Sequence, residues 1–509
     1  MSQLTRIAAA MAVLVSVPAF AAVAPVAVGT IYGGGATLPL SAFVGSKWLG
    51  LTDATSNRQS VTATLKNTLD PLFPASADSL FAQVTLTSPV GKFYKISYCG
   101  TGSGAGRNVL RGTVDATATC GMYDVAPAGF GATTAEAHFA SSDAPFSASE
   151  YNSFAVGQTI GGVVQPARSV TRVAPVQFPA VAAALGVIFN NSDLGNAKLN
   201  LTESQLCQVV SGAINNWSQL GFAPKPIVFV KRSDSSGTTF SFTNHLSATC
   251  PSTTPIAVTG FVTQNTLTTN VVGTAITGSG NGGVVAAVLA TDGSIGYADV
   301  ADGRARAALN GGGVLRIATL SIKPDVPAYV EDVPQNNLDG TPKLVNGIRV
   351  TKAVKHKAVV YTKFDALNSK HFPASVAVST LADQVVGSND VNGRPTMVAL
   401  TPLAGATPGC MQTVAPDTYA KPALNAKGDY VMYPIIGISY LMTYNAGNSI
   451  EGGVDKADAI RRLLSAPYAI SSKVKTIGKK KGFSGLTITT GAGSAATTGA
   501  GLVTACVLN

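Results

Sequence analysis

Apolar and polar positions fall in blocks along this chain, and the order of the blocks repeats. Residues 226–230 (PIVFV) are an uninterrupted apolar run that predicts a strand, and a polar turn over 232–237 follows at once. Residues 238–246 then predict a helix, with Phe242 and Leu246 on one face. The same sequence of strand, small-residue turn and helix start returns at 31–48. There three glycines precede Thr37 and Leu38, and Pro39 opens a helix expected over 39–49, capped near Thr37. Residues 93–98 (FYKISY) alternate like a strand and run into the glycine-rich turn 99–106, with a helix expected from about Arg107 to Leu110. Residues 277–288 form another glycine-rich turn leading into a small apolar helix, and 293–297 (GSIGY) begin a short strand.

The remaining blocks are plainer. Residues 138–145 (HFASSDAP) end an apolar entry in a small polar turn carrying Asp143, an acidic residue of the kind that usually caps a turn. Residues 173–190 hold proline-bounded apolar runs, including 185–189 (LGVIF), and predict entry into a second core. A helix is expected over 201–217, capped by Thr202, with Leu206, Val209 and Val210 inward. Residues 432–444 predict a long buried strand, and 454–465 an amphipathic helix with Ala457, Ile460 and Leu464 on one stripe. Residues 50–92, 111–137 and 301–428 lack sustained periodicity and predict elaborated connections. The basic segment 473–481 predicts a solvated face.

The start of the chain changes the setting. Arg6, an apolar stretch over 7–20 and the small-residue pattern Ala19-Phe20-Ala21 predict a secretory signal peptide over 1–21, too short to span a bilayer. The rest is expected to be periplasmic or secreted, with no membrane span. With 46% apolar and 12% charged residues among 509, the chain can bury a large core in two or three domains. Six cysteines in an exported chain predict disulfides, and proximity suggests Cys99 with Cys120, Cys207 with Cys250, and Cys410 with Cys506. None lies in a C-x-x-C pair, so no metal site is expected. A net charge of +10 favours anions, but the basic residues are scattered, which argues against nucleic acid.

Several turns that each end at a helix start provide backbone N–H groups for an anion, and Arg232 beside one of them adds a planar fork of donors. Read alone, the stretch 231–246 fits equally an ordinary capped helix with a solvated arginine. A dinucleotide fingerprint has the wrong glycine spacing, and a Walker A loop is absent. The four histidines, His138, His245, His356 and His371, form no zinc-protease motif; His138 and His245 are expected to be surface or packing residues.

Taken in order, GGGATLP, GTGSG, ASSDAP, RSDSSGTTFSFTNHL, GSGNGG with GSIGY, and YPI with SYL resemble the phosphate-binding periplasmic proteins that serve phosphate ABC transporters. The first motif is most like their DING-type branch. The resemblance covers most of the chain after residue 33, outside 50–92, 111–137, much of 301–428 and the last twenty or so residues. It implies an α/β fold of the type II periplasmic binding protein kind: two lobes, a ligand cleft between them and two crossover segments, near 171–179 and 430–435. The expected domains are 22–172 with 431–509 as lobe I, and 173–430 as lobe II with an elaborated insertion at 301–428. Carried over residue by residue, it implies that Thr37, the Leu38 N–H, Ser103, Asp143, Arg232, Ser236, Gly237 and Thr238 hold phosphate. Asp234 would orient Arg232, and Asp143 would accept a hydrogen bond from the P–OH that phosphate retains near neutral pH. Ser235 stands where the family commonly has glycine. The implied protein is a monomeric, cofactor-free phosphate-binding component working with an inner-membrane phosphate permease complex. The alternatives are a secreted phosphomonoesterase, since DING-type relatives have been associated with that activity, and a phosphate-binding adhesion protein. Neither Ser103 nor any histidine has a catalytic partner near it in sequence.

Overall fold

The computed structural model describes residues 26–44, 60–63, 80–81, 87–88, 92–112, 137–156, 158–160, 163–165, 172–250, 275–301, 303–304, 315–368, 370–390, 394–449, 453–469, 474–475, 478, 482–490 and 499–509. The expected signal peptide, Cys120, and most of 50–92, 111–137 and 473–481 lie outside the described residues.

One mixed sheet carries the fold. Its spatial order is Ala275–Gly278, Val228–Arg232, Ser294–Asp299, Pro175–Asn190, Ile436–Tyr444, Phe139–Ser142, Val26–Gly35, Lys92–Cys99 and Ser60–Ala63. At one end, Val26–Gly35 pairs in parallel with both Lys92–Cys99 and Phe139–Ser142. At the other, Val228–Arg232 pairs in parallel with both Ala275–Gly278 and Ser294–Asp299. Between these two parallel sets lie antiparallel pairings made by two long apolar strands, Pro175–Asn190 and Ile436–Tyr444. The result is two α/β lobes joined through shared strands.

The long strand Pro175–Asn190 joins them. Its first part, to Ala184, pairs with the return strand Ile436–Tyr444; from Leu185 on it pairs with Ser294–Asp299. The change of partner falls inside the strand, between Ala184 and Leu185. The prolines read as boundaries are inside the strand. Pro179 has no N–H to give, and the register slips there, between Ser439 and Tyr440, so the break in hydrogen bonding becomes a bulge. Fifteen of the sixteen residues are buried, which explains an apolar run without alternation.

The predicted helices form with shifted ends. The helix expected at about Arg107–Leu110 begins earlier, spanning Ser103–Leu110, because glycines that pattern reading assigned to a turn fill its first turns. The 201–217 helix is shorter, Glu203–Ser211. Thr202 caps it with Gln205 in a reciprocal capping box, and Gly212 in the left-handed region ends it. After Leu40–Val44 the chain leaves the described residues, so only the start of the expected 39–49 helix is seen. The helix 454–465 extends over Gly453–Ala469.

Cys207 pairs with Cys250 and Cys410 with Cys506, as proximity suggested. Cys99 is also disulfide-bonded. Within 301–428, Arg316–Ile317 adds to the long strand. Ser375–Ala382 pairs in parallel with Phe483–Thr490, which in turn borders the long strand at Val181–Ala183. Residues 326–359 instead project as an antiparallel ribbon.

Candidate functional site

Ligand sites in open α/β sheets lie beyond the carboxyl ends of parallel strands, where turns hand the chain to helices. Five such ends meet here. Val26–Gly35 leads to Thr37, Lys92–Cys99 to Ser103, and Phe139–Ser142 to Asp143. From the other lobe, Val228–Arg232 leads through Asp234 to Gly237, and Ala275–Gly278 leads to Gly280.

Arg232 is the centre of the second group. It is 1% exposed, and its Nε donates to Asp234 Oδ1 at 2.7 Å while its Nη2 donates to Asp234 Oδ2. Nη1 donates to Thr238 Oγ1 at 3.2 Å. These bonds use three of the five guanidinium N–H groups and leave one on each terminal nitrogen. The solvated arginine is thereby excluded. Burial works against the Arg232 charge, but Asp234 more than offsets it and holds the group above its ordinary range. Burial likewise pushes Asp234 up, yet Arg232 and the Gly280 N–H, 2.9 Å from Oδ1, hold its carboxyl below the usual range. Both groups therefore stay charged as a pair, with the arginine fixed in one orientation.

The helix Gly237–Thr249 starts directly beside this pair. Ser236 is its N-cap, accepting from Thr239 N–H at 3.0 Å, and Phe240 N–H already reaches the Ser236 carbonyl. The Gly237 and Thr238 N–H groups are thus the first-turn donors without an intrahelical acceptor. Tyr297, stacked on Phe242 at 4.3 Å, supports the far side through a 2.7 Å bond to Thr239 Oγ1.

Asp143 faces these donors from the other lobe and is 1% exposed. Ser103 Oγ lies 3.2 Å from Asp143 Oδ2 and accepts from the Asp143 N–H at 3.0 Å. Ser439, on the return strand, donates to Oδ1 at 2.5 Å. Burial pushes the Asp143 carboxyl up to about 7, against the hydroxyls of Ser439 and Ser103 and the Arg232 charge, which pull it down. Arg107 stands behind, held by Glu150 and donating to Ser142 Oγ at 2.6 Å.

The two groups touch. A Cβ at Gly237 would come within 2.5 Å of Ser103 Oγ and 2.6 Å of Asp143 Cβ, so only glycine admits this approach. Gly104 N–H donates to the Ser235 carbonyl at 3.2 Å, and the Ser235 hydroxyl lies against Gly104. Ser235 is thus a contact between the lobes. Thr37 Oγ1 accepts from Asn281 N–H at 3.3 Å, tying the first turn to the Gly280–Ala290 helix. Leu38 is buried, its side chain packed towards Gly437 of the return strand.

Thr37, Ser103, Asp143, Arg232, Asp234, Ser236, Gly237 and Thr238 lie on these neighbouring turns, and Leu38 joins them through the packing of its side chain. Sequence reasoning gave no role to Ser439, Asn281, Gly280 or Tyr297, although all four stand in quoted motifs. The available signal for Ser439 was one small hydroxyl inside the apolar run IGISYLMTY. His138 and His245 are packing residues, both buried. His138 accepts from Tyr32 N–H at 2.8 Å; His245 lies between the Ala420 carbonyl and Glu203 Oε2. No metal-type cluster of His, Cys, Asp and Glu occurs among the described residues. Among them, too, no helix is long and apolar enough to cross a membrane.

A family model described as a PBP superfamily domain matches residues 61–366. Alkaline phosphatase L of Pseudomonas aeruginosa PAO1 is 34% identical over 239 residues, covering 44% of this chain and 52% of that protein. Phosphate-binding protein PstS of Methanocaldococcus jannaschii is 31% identical over 137 residues, covering 25% of this chain and 35% of that one. The chain spans about half or less of the length of these relatives. Among solved structures, a high-affinity periplasmic phosphate-binding protein (PfluDING) bound with phosphate matches at a TM-score of 0.47, with 20% identity and 90% of each chain covered.

Proposed function

The chain belongs to the PBP superfamily, and from that premise we propose that it is an exported protein that binds inorganic phosphate for uptake by an ABC transporter. The observation that carries this reading is the buried Arg232, clamped by Asp234, with unused N–H donors beside the Gly237–Thr249 helix start and opposite Asp143. Relatives named as phosphate-binding proteins support it. A dehydrated tetrahedral oxyanion needs many converging donors, and Thr37, the Leu38 N–H, Ser103, Ser236, Gly237 and Thr238 supply them around Arg232. We place 22–172 with 431–509 in one lobe and 173–430 in the other. Hinge closure across the long and return strands is the working motion, a monomer the working form, and an inner-membrane permease complex the partner. Calorimetric titration of the purified protein with phosphate, with sulfate and arsenate as competitors, tests the reading; absence of phosphate binding overturns it.

Ser439 sets the working pH of this site. Its hydroxyl is a donor to Asp143, so Ser439→Ala is expected to push the Asp143 carboxyl further up. The pH at which sulfate starts to compete should rise with it, which sulfate competition titrations from acid to alkaline pH would show. An unshifted profile would remove Ser439 from this role.

One observation favours a second reading. Sequence places no base near Ser103, but the fold puts a carboxyl of near-neutral pKa 3.2 Å from its Oγ. That pair has the parts for general-base activation of a nucleophile, and the similar Pseudomonas protein is named a phosphatase. Steady-state assay on a chromogenic phosphate monoester decides between them. Pure binding predicts no turnover; turnover lost in Ser103→Ala would establish the esterase.

A further inference from the structure

Among the described residues, exposed apolar surface is concentrated in one place. Of fourteen large apolar side chains that stand exposed among the described residues, nine lie within 326–360. That segment is the projecting ribbon. Val326 pairs with Val359, and Tyr329–Pro334 pairs with Thr351–His356; then Gln335 N–H donates to the Val350 carbonyl and Val350 N–H to that of Lys343. The ribbon forms a two-stranded sheet of its own, so neither edge pairs with a third strand among the described residues. Its end divides into two turns. One spans 337–341; the other joins Leu344–Val345 to Ile348–Arg349 through Asn346 and Gly347, both in the left-handed region.

A lone two-stranded ribbon is marginal in water, and apolar side chains at its tip gain nothing from solvent. The tip nevertheless presents Leu338, Leu344, Val345 and Ile348, each more than half exposed. Beside them positive charge predominates. Lys343, Arg349, Lys352, Lys355 and Lys357 outnumber the acids of the ribbon, Asp339 at the tip and Glu331 and Asp332 further down, where Glu331 meets His356. Asp339 is occupied by Thr341, and Arg349 donates to Asn336. The four lysine ammonium groups have no ion-pair partner among the described residues.

We propose that the ribbon tip docks this protein on the surface of an anionic lipid bilayer. The cationic flank selects an anionic partner and opposes a second copy of the same tip, since like charges would meet. The aliphatic side chains of the tip stand exposed on two separate turns. A bilayer interface deforms around such an arrangement, whereas a protein partner would need a matching cavity. Lysine stems lie along apolar surface while their ammonium groups reach headgroup phosphates, which places both parts of the tip in their preferred phases. Docking of this kind makes no use of the Arg232 site and stands independently of its ligand.

The test is co-sedimentation of the full chain with vesicles of equimolar phosphatidylglycerol and phosphatidylcholine, compared with phosphatidylcholine alone. Binding to the anionic vesicles is expected to be roughly tenfold or more the stronger and to weaken with salt. Leu344→Ser with Ile348→Ser, and separately Lys343→Glu with Lys352→Glu, should each lower it by about tenfold. Unchanged thermal melting would show that both variants are folded. Equal binding to the two vesicle types, full binding by both folded double variants, or retention only on an acidic polypeptide column would each overturn the proposal.

Discussion

Arg232→Ala is expected to lower phosphate affinity by roughly 10²–10⁴-fold, the range for removing one partner of a buried, hydrogen-bonded charge contact. The reasoning starts from how the arginine is held. Two bonds to Asp234 and one to Thr238 fix the guanidinium plane beside the start of the Gly237–Thr249 helix. Truncation removes the largest positive charge at that point. It also leaves Asp234 with the Gly280 N–H but no cation, so a buried carboxylate would then oppose an anion. Arg232→Lys keeps the charge but cannot reproduce the fork, and should recover only part of the loss. Calorimetric titration with phosphate checks both variants. Near-normal binding by Arg232→Ala, with the melting profile unchanged, would defeat the site assignment.

Asp143→Asn is expected to collapse the preference for phosphate over sulfate, which in sites built around one obligatory hydrogen bond is on the order of 10⁴–10⁵. Phosphate near neutral pH retains a proton and sulfate retains none. An ionised Asp143 accepts that proton's hydrogen bond and meets sulfate with two opposed acceptors; an asparagine can offer N–H instead. The wild-type carboxyl, raised to about 7, adds a pH dependence. As pH falls through that value Asp143 gains a proton and becomes a donor, so discrimination against sulfate should weaken on the acid side. Stability has a definite sign as well. In the folded protein without ligand the group keeps its proton to about 7, while the unfolded chain loses it near 3.8. Between those values the native state binds more protons, so this group's contribution to stability is full below the lower value and is lost as pH rises through the upper one. Asp143→Asn should flatten that slope. Denaturant midpoints measured against pH in phosphate-free buffer, alongside competitive sulfate titrations, would reveal a preference or slope that survives the substitution and so refute the role given to Asp143.

The sequence by itself determined the elements that make the site and most of its chemistry. Apolar runs ending in small-residue turns are local facts, because strand patterning, capping at Thr202 and Ser236 and the helix starts depend on neighbours in the chain. The motif order was enough to identify the family. Two disulfides, Cys207–Cys250 and Cys410–Cys506, followed from proximity. Tertiary structure decided what depends on distant residues. Whether Arg232 was a surface charge or a buried anchor turned on burial, and burial comes from packing between lobes. Asp143 acquired its raised carboxyl from desolvation, held back by the hydroxyl of Ser439, 296 positions away. Local pattern makes the prolines of 173–190 bounds of apolar runs because they lack an N–H; the bulge between Ser439 and Tyr440 lets one strand pass through Pro179 in three dimensions. Ser235 looked like a departure from a turn pattern and became a contact with Gly104 of the facing lobe. Local pattern carries the parts of this binding site, whereas their charge states and mutual contacts arise only when distant turns share one dry space.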